Sequence, residues 1–285
     1  MNTMTFKNRT QAIKQTKLAY IGCVNSSAKI IKNAKISKVN TYCIYLAPAN
    51  LSGYNTCSHS TPECRIGCLN TSGRAGMEQS IGKTIIADCR AVKTRLFYEQ
   101  PAYFMQWIIA EIEAQKNLSY KKDMDFAVRL NGTSDIDWSN VLVNGKTIFE
   151  IFSDVEFYDY TKSHLKFKNK PKNYHLTMSY TGRNWQVCEM LLQEGFNVAV
   201  VFDVKNESEL PKEFRGYKVI NGDLTDYRIS DPKGVIVGLK WKRIGDKQIN
   251  DYVKQSCFVV KPQTLLNGLI TFNVEQTKVT NKVFV

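Results

Sequence analysis

Three of the eight cysteines, Cys57, Cys64 and Cys68, fall within twelve residues, with gaps of six and three between them. Thiolates this close in sequence can converge on one metal centre without help from the rest of the fold. Gly53, Pro62 and Gly67 break regular structure around them, and Asn55, Thr56, Ser58, Ser60 and Thr61 favour turns. The stretch before it reads as a strand and the stretch after it as a long helix. The spacing therefore predicts a metal-binding loop, rather than a helix, at the C-terminal end of an early β-strand.

The identity of the metal follows from ligand number. Four-ligand zinc sites show paired Cys-x2-Cys knuckles or Cys/His pairs. Here there is no second pair, His59 is two residues from Cys57, and His164 and His175 are distant. An iron–sulfur cluster accepts thiolates at varied spacings, and three of them leave one iron open. Cys57, Cys64 and Cys68 are thus expected to hold an iron–sulfur cluster, with zinc or structural thiols as the alternatives. A disulfide suits a secreted chain, and the N-terminus, basic and polar, has no apolar signal core. The expected compartment is a reducing cytoplasm.

The net charge is +13, with a local run at Lys166, Lys168, Lys170 and Lys172. That charge points to acidic partners, nucleic acid first, or to a solvated lysine-rich surface. No stretch approaches the ~20 apolar residues of a membrane span, so no membrane partner is expected.

Residues 1–36, polar and lysine-rich, read as a basic N-terminal extension that packs on a single domain over 37–285. Val39–Leu46 reads as the first core strand. A helix is expected from about Gly76, with Ile81, Ile85, Cys89, Val92 and Leu96 as its apolar stripe. On that stripe Cys89 reads as a small buried hydrophobe rather than a fourth ligand. Pro101 opens a second helix with Phe104, Ile108 and Ile112 inward. Further strands are expected at 125–130, 156–160, 174–180, 197–202, 218–221, 234–240 and 258–260, with helices over 148–152 and 185–195.

Strands alternating with helices argue for parallel βαβ units and right-handed crossovers. The expected fold is α/β, a complete or partial (βα) barrel of mostly parallel strands whose C-terminal rim carries the chemistry. The rim segments are the cysteine loop, Asn131–Asp135, Asp159–Lys162, Ser179–Asn184 and Asp223–Arg228. In the second, Asn131, Gly132, Ser134 and Asp135 form a candidate cofactor-binding loop, placed beside the cysteine loop by a right-handed connection. Asp159, Lys162, Arg183, Asp223 and Asp226 are the other polar rim candidates.

Two resemblances extend this reading. The strings NTCSHSTPECRIGCLNTSGRAG, VRLNGTSDIDW, FYDYTK and YHLTMSYTGRNW, within residues 55–185, resemble the phage-encoded gene product eighty-eight family. That resemblance implies a bacteriophage protein acting in the host cytoplasm and supplies no reaction. The layout is also similar to the radical S-adenosylmethionine superfamily, which has a partial barrel and three cysteines after the first strand. It implies a 4Fe-4S cluster, with S-adenosylmethionine at the open iron and Asn131–Asp135 in the place of that superfamily's glycine-rich segment. The cysteine spacing here is wider on both sides, and Gly67 and Leu69 flank Cys68 where the superfamily has an aromatic residue. The cluster is therefore the firmer expectation. One expectation is an iron–sulfur enzyme, radical S-adenosylmethionine-like, with a small-molecule ligand at the cluster; the alternative is a non-catalytic iron–sulfur or zinc protein binding nucleic acid or a host partner.

Overall fold

The structure is a computed structural model. It describes residues 8–261 except 69, 71–74, 77, 79–81, 83 and 243–245, together with 263–264 and 270–271.

The chain opens with α1 (Arg9–Thr16), β1 (Gly22–Val24), α2 (Ala28–Ser37) and β2 (Val39–Ile44). A short α3 (Pro62–Ile66) follows, then α4 (Ile85–Glu99), α5 (Pro101–Tyr120) and β3 (Asp125–Arg129). A small hairpin, β4 (Leu142–Val143) and β5 (Lys146–Thr147), leads into α6 (Ile148–Ile151) and β6 (Glu156–Thr161). Then come β7 (Tyr174–Ser179), α7 (Trp185–Gln193), β8 (Asn197–Phe202), β9 (Glu213–Phe214) and β10 (Tyr217–Asn221). The last elements of the main body are β11 (Ile236–Lys240), α8 (Lys247–Gln255) and β12 (Val259–Val260).

One ten-stranded sheet runs β1-β2-β3-β6-β7-β8-β11-β10-β9, with β12 added beside β8. From β2 to β10 every neighbouring pair is parallel. Both edge strands are antiparallel to their neighbours. The mostly parallel α/β sheet is as expected, but it does not close: among the described residues no ladder joins β1 to β9. The complete barrel is thus corrected to an open sheet. At one edge the reason is local. Arg215 and Gly216, at φ 52° and 85°, make a two-residue hairpin that folds β9 back on β10.

Alternation along each strand separates two faces. Tyr42, Ile44, Phe126, Val128, Phe157, Leu176, Met178, Val198 and Val200 share the main core with Phe104, Ile108 and Ile112 of α5. Those three α5 residues are fully buried, as their spacing predicts. The other face carries Val39, Ala127 and Tyr158, with α2 over it. There Asn33 donates to Thr41 Oγ1 and Tyr158 Oη, each at 3.1 Å.

Helix α4 departs from its predicted stripe. It starts at Ile85, which is 61% exposed, and Cys89 is exposed too. From the predicted stripe Val92 and Leu96 do pack on the core, and Thr94 and Phe97 are buried beside them; Ile81 lies outside the described residues. Residues 8–36 pack as part of the main body: β1 is an edge of the sheet, and Ala12, Leu18 and Ile21 lie in the main core.

Candidate functional site

Parallel pairing of β2 with β3 and of β3 with β6 brings the three following loops to one rim. The loops are then stitched together. Gly132 N–H donates to Ile44 O at 2.9 Å, Thr133 Oγ1 to Leu46 O at 2.5 Å, and Asp135 N–H to Thr56 O at 2.8 Å. A Cβ on Gly132 would lie 2.6 Å from Ile44 O, so only glycine permits this approach. Asn131–Asp135 therefore sits against the cysteine loop, as the topology predicts.

The cysteine loop is built from local bonds. Asn55 Oδ1 accepts Cys57 N–H at 3.0 Å, and Ser60 Oγ donates to Cys57 O at 2.7 Å. Cys64 lies in α3, not in open loop. Thr61 caps α3 by accepting Cys64 N–H at 3.2 Å, Pro62 begins it, and Gly67 ends it. The Thr-Pro-Glu run carried that signal in the sequence. The turn packs through Gly67, whose Cβ would lie 2.9 Å from the Trp241 ring and 3.2 Å from Val253.

Cys57, Cys64 and Cys68 are each half-buried, and all eight cysteines are free thiols. Burial pushes the Cys68 thiol up to about 11; Asn70 N–H opposes this, and the Cys64 and Cys57 sulfurs add to it. Lys162, just after β6, lies beside the Cys64 thiol. Burial pulls that ammonium down, but Cys64, Asp135 and Cys57 outweigh it and hold Lys162 above its usual value. The three sulfurs thus share one electrostatic neighbourhood with a fixed cation. Among the described residues, no three His, Cys, Asp or Glu side chains are arranged to hold a single metal ion. Between the cysteines, Glu63 is 6% exposed; its Oε1 accepts Arg183 Nη2 at 3.0 Å, and its Oε2 has no hydrogen-bond partner among the described residues.

The neighbouring loop is closed on itself. Asn131 Oδ1 accepts Ser134 Oγ at 2.9 Å, Ile136 N–H at 2.9 Å and Trp138 Nε1 at 3.2 Å. Its Nδ2 donates to Ile136 O at 3.0 Å and Asp159 Oδ2 at 3.2 Å. Asp135 accepts Thr161 Oγ1 at 2.7 Å, Lys162 N–H at 2.9 Å and Lys166 Nζ at 2.5 Å. Asn131, Ser134 and Asp135 therefore have their polar atoms engaged in holding three rim loops together.

Two buried carboxylates flank Arg129, a residue the sequence reading did not single out despite its charge inside an apolar strand. Asp226 lies 2.6 Å from Arg129 Nη1, and Lys29 adds a contact at 3.8 Å. Burial pushes Asp226 up, but Arg129, Lys29 and Arg228 together hold it below the usual carboxylate range. Asp159 is 3.9 Å from Arg129 Nε. At that distance burial wins over Arg129 and raises the Asp159 carboxyl to about 6. Asp223 ties β11 to α2: it accepts Lys240 N–H at 2.7 Å and lies 3.4 Å from Lys29 Nζ. Asp223 and Asp226 thus meet at Lys29, Arg183 reaches the cysteine loop through Glu63, and Lys162 lies beside the thiols.

Comparison with known proteins gives one match, a family described as gene product 88, over residues 11–257. No curated protein and no solved structure matches the chain, so the likeness to the radical S-adenosylmethionine layout finds no support there. No helix among the described residues is long and apolar enough to cross a membrane.

Proposed function

This chain belongs to the gene product 88 family, and from that premise and the rim geometry we propose that it is a bacteriophage iron–sulfur protein working in the host cytoplasm. Cys57, Cys64 and Cys68 hold the cluster. One observation carries the reading: three thiols after the first parallel strand share a pocket of potential with the Lys162 ammonium. A thiolate-bound cluster distributes its ligands over several irons, so the sulfurs need not converge on one point as they must for zinc. Lys162 offsets the negative charge that three thiolates bring. Eight free thiols accord with a reducing compartment.

When bound, the cluster supplies electron transfer or an open iron for a small ligand. This chain's own residues fix the loop, with Thr61 and Gly67 setting α3 and Asp135 locking the loops on either side. S-adenosylmethionine as a second cofactor would need donors from Asn131–Asp135, and that loop's polar side chains are already engaged. The proposal therefore rests at the cluster. Anaerobic purification tests it: the protein should be brown, with visible absorption and about four iron and four sulfide per chain for a 4Fe-4S centre. A colourless protein carrying zinc overturns it.

A further inference from the structure

A second site lies beyond the cysteine loop, between β8 and β11. The chain leaves the C-terminal end of β8 toward β10, then returns with β11 inserted between them. From β11 it travels the other way, through α8 to β12, which pairs with β8 at Val201 and Phe202. The two connections thus run in opposite directions across each other's strands. A crevice of about 590 Å³ lies among the first residues of both connections, a size suited to a small organic ligand.

Its lining is cationic. Lys205, Lys240, Lys242 and Lys254 face it together with Asp203 and Trp241. Asp203 is paired with Lys254 at 2.8 Å, and Lys240 Nζ donates to Lys205 O at 3.2 Å. The other acidic residue of the lining, Glu209, is engaged by Lys205 N–H and Asn206 Nδ2. Lys205 and Lys242 are exposed, and among the described residues no carboxylate lies within ion-pair distance of either ammonium. Trp241 is 7% exposed and forms an apolar part of the wall.

We propose that this crevice binds a phosphate-bearing small molecule of nucleotide size. Lys205 and Lys242 take the phosphate oxygens, and Trp241 and the connections that follow β8 and β11 form the walls. The site contains none of the cluster thiols, although Trp241 packs against Cys64.

Titration calorimetry at low ionic strength tests this with three probes: adenosine triphosphate, inorganic tripolyphosphate and single-stranded oligonucleotides of two lengths. The proteins are the wild type, the double variant Lys205→Gln/Lys242→Gln, the exposed control Lys168→Gln, and Cys57→Ser. One nucleotide should bind per chain, weakened about tenfold in the double variant by loss of two charge-assisted contacts. The control should match the wild type, and Cys57→Ser should bind unchanged even if its metal is lost. The proposal fails if neither small phosphate probe binds, or if the double variant loses no more than the control. It also fails if only oligonucleotides bind, with affinity that grows with length, because that describes a diffuse cationic surface.

Discussion

Two loops lie side by side at one rim and look equally polar in sequence, yet they do opposite things. In Asn131–Asp135 the amide, hydroxyl and carboxylate groups bond to neighbouring loops and to the backbone. In Cys57–Cys68 the thiols share the neighbourhood of Lys162, and a buried oxygen of Glu63 has no hydrogen-bond partner among the described residues. Polar residues after a strand therefore mark a ligand site only where bonding capacity is left over. The first loop is the clamp; the second holds the chemistry.

The sharpest way to break this contrast is to remove the clamp. Asn131→Ala deletes an amide that serves Ser134, Ile136, Trp138 and Asp159, and leaves several of them buried and unpaired. It should cost about 3–5 kcal/mol in urea denaturation. Asp135→Ala strands Lys166, whose side chain is only 5% exposed, and should cost about 3 kcal/mol. If either loss falls below about 1 kcal/mol, the loop is not a clamp.

A smaller effect appears in the pH dependence of stability. The folded Asp159 carboxyl titrates near 6, whereas an unfolded aspartate titrates near ~3.9. Between those values the folded state binds more protons, so Asp159 makes stability fall as pH rises through that window, by about 2–3 kcal/mol. Above pH 6 its contribution levels off. Asp159→Asn should flatten that slope; an unchanged slope would place the titration elsewhere.

On the cysteine side, Lys162→Gln removes a cation from the thiols and should shift the cluster's reduction potential downward, read by voltammetry. Cys89→Ser, at an exposed helical position, should leave both metal content and stability within about 0.5 kcal/mol of wild type.

Much of this architecture was legible in the chain. Alternation placed β2, β3, β6, β7 and β8 to within a residue or two, because both faces of a buried parallel strand must be apolar or bonded. Pro101 marked α5, and the strand–helix alternation put the cysteine loop beside Asn131–Asp135. What the sequence did not show was long-range. Edge strands β1 and β9 are too short to carry a pattern, so closure of the sheet was not decidable from periodicity. Cys89 matched a helical stripe, but only tertiary packing determines which half of α4 is covered. Asn131 and Asp135 read as ligand donors because sequence lists polar groups without showing their partners. Arg129 could have been found, as the single charge inside Phe126–Leu130.

The most direct test is the iron and acid-labile sulfide content of anaerobically purified single variants. Cys57→Ser, Cys64→Ser and Cys68→Ser are compared with Cys23→Ser and Cys257→Ser, whose thiols belong to other parts of the fold. The account predicts that each of the first three loses bound iron and sulfide while the last two match the wild type. Full iron in any one of the first three would contradict that residue's role as a ligand, and full iron in all three would contradict the cluster site itself.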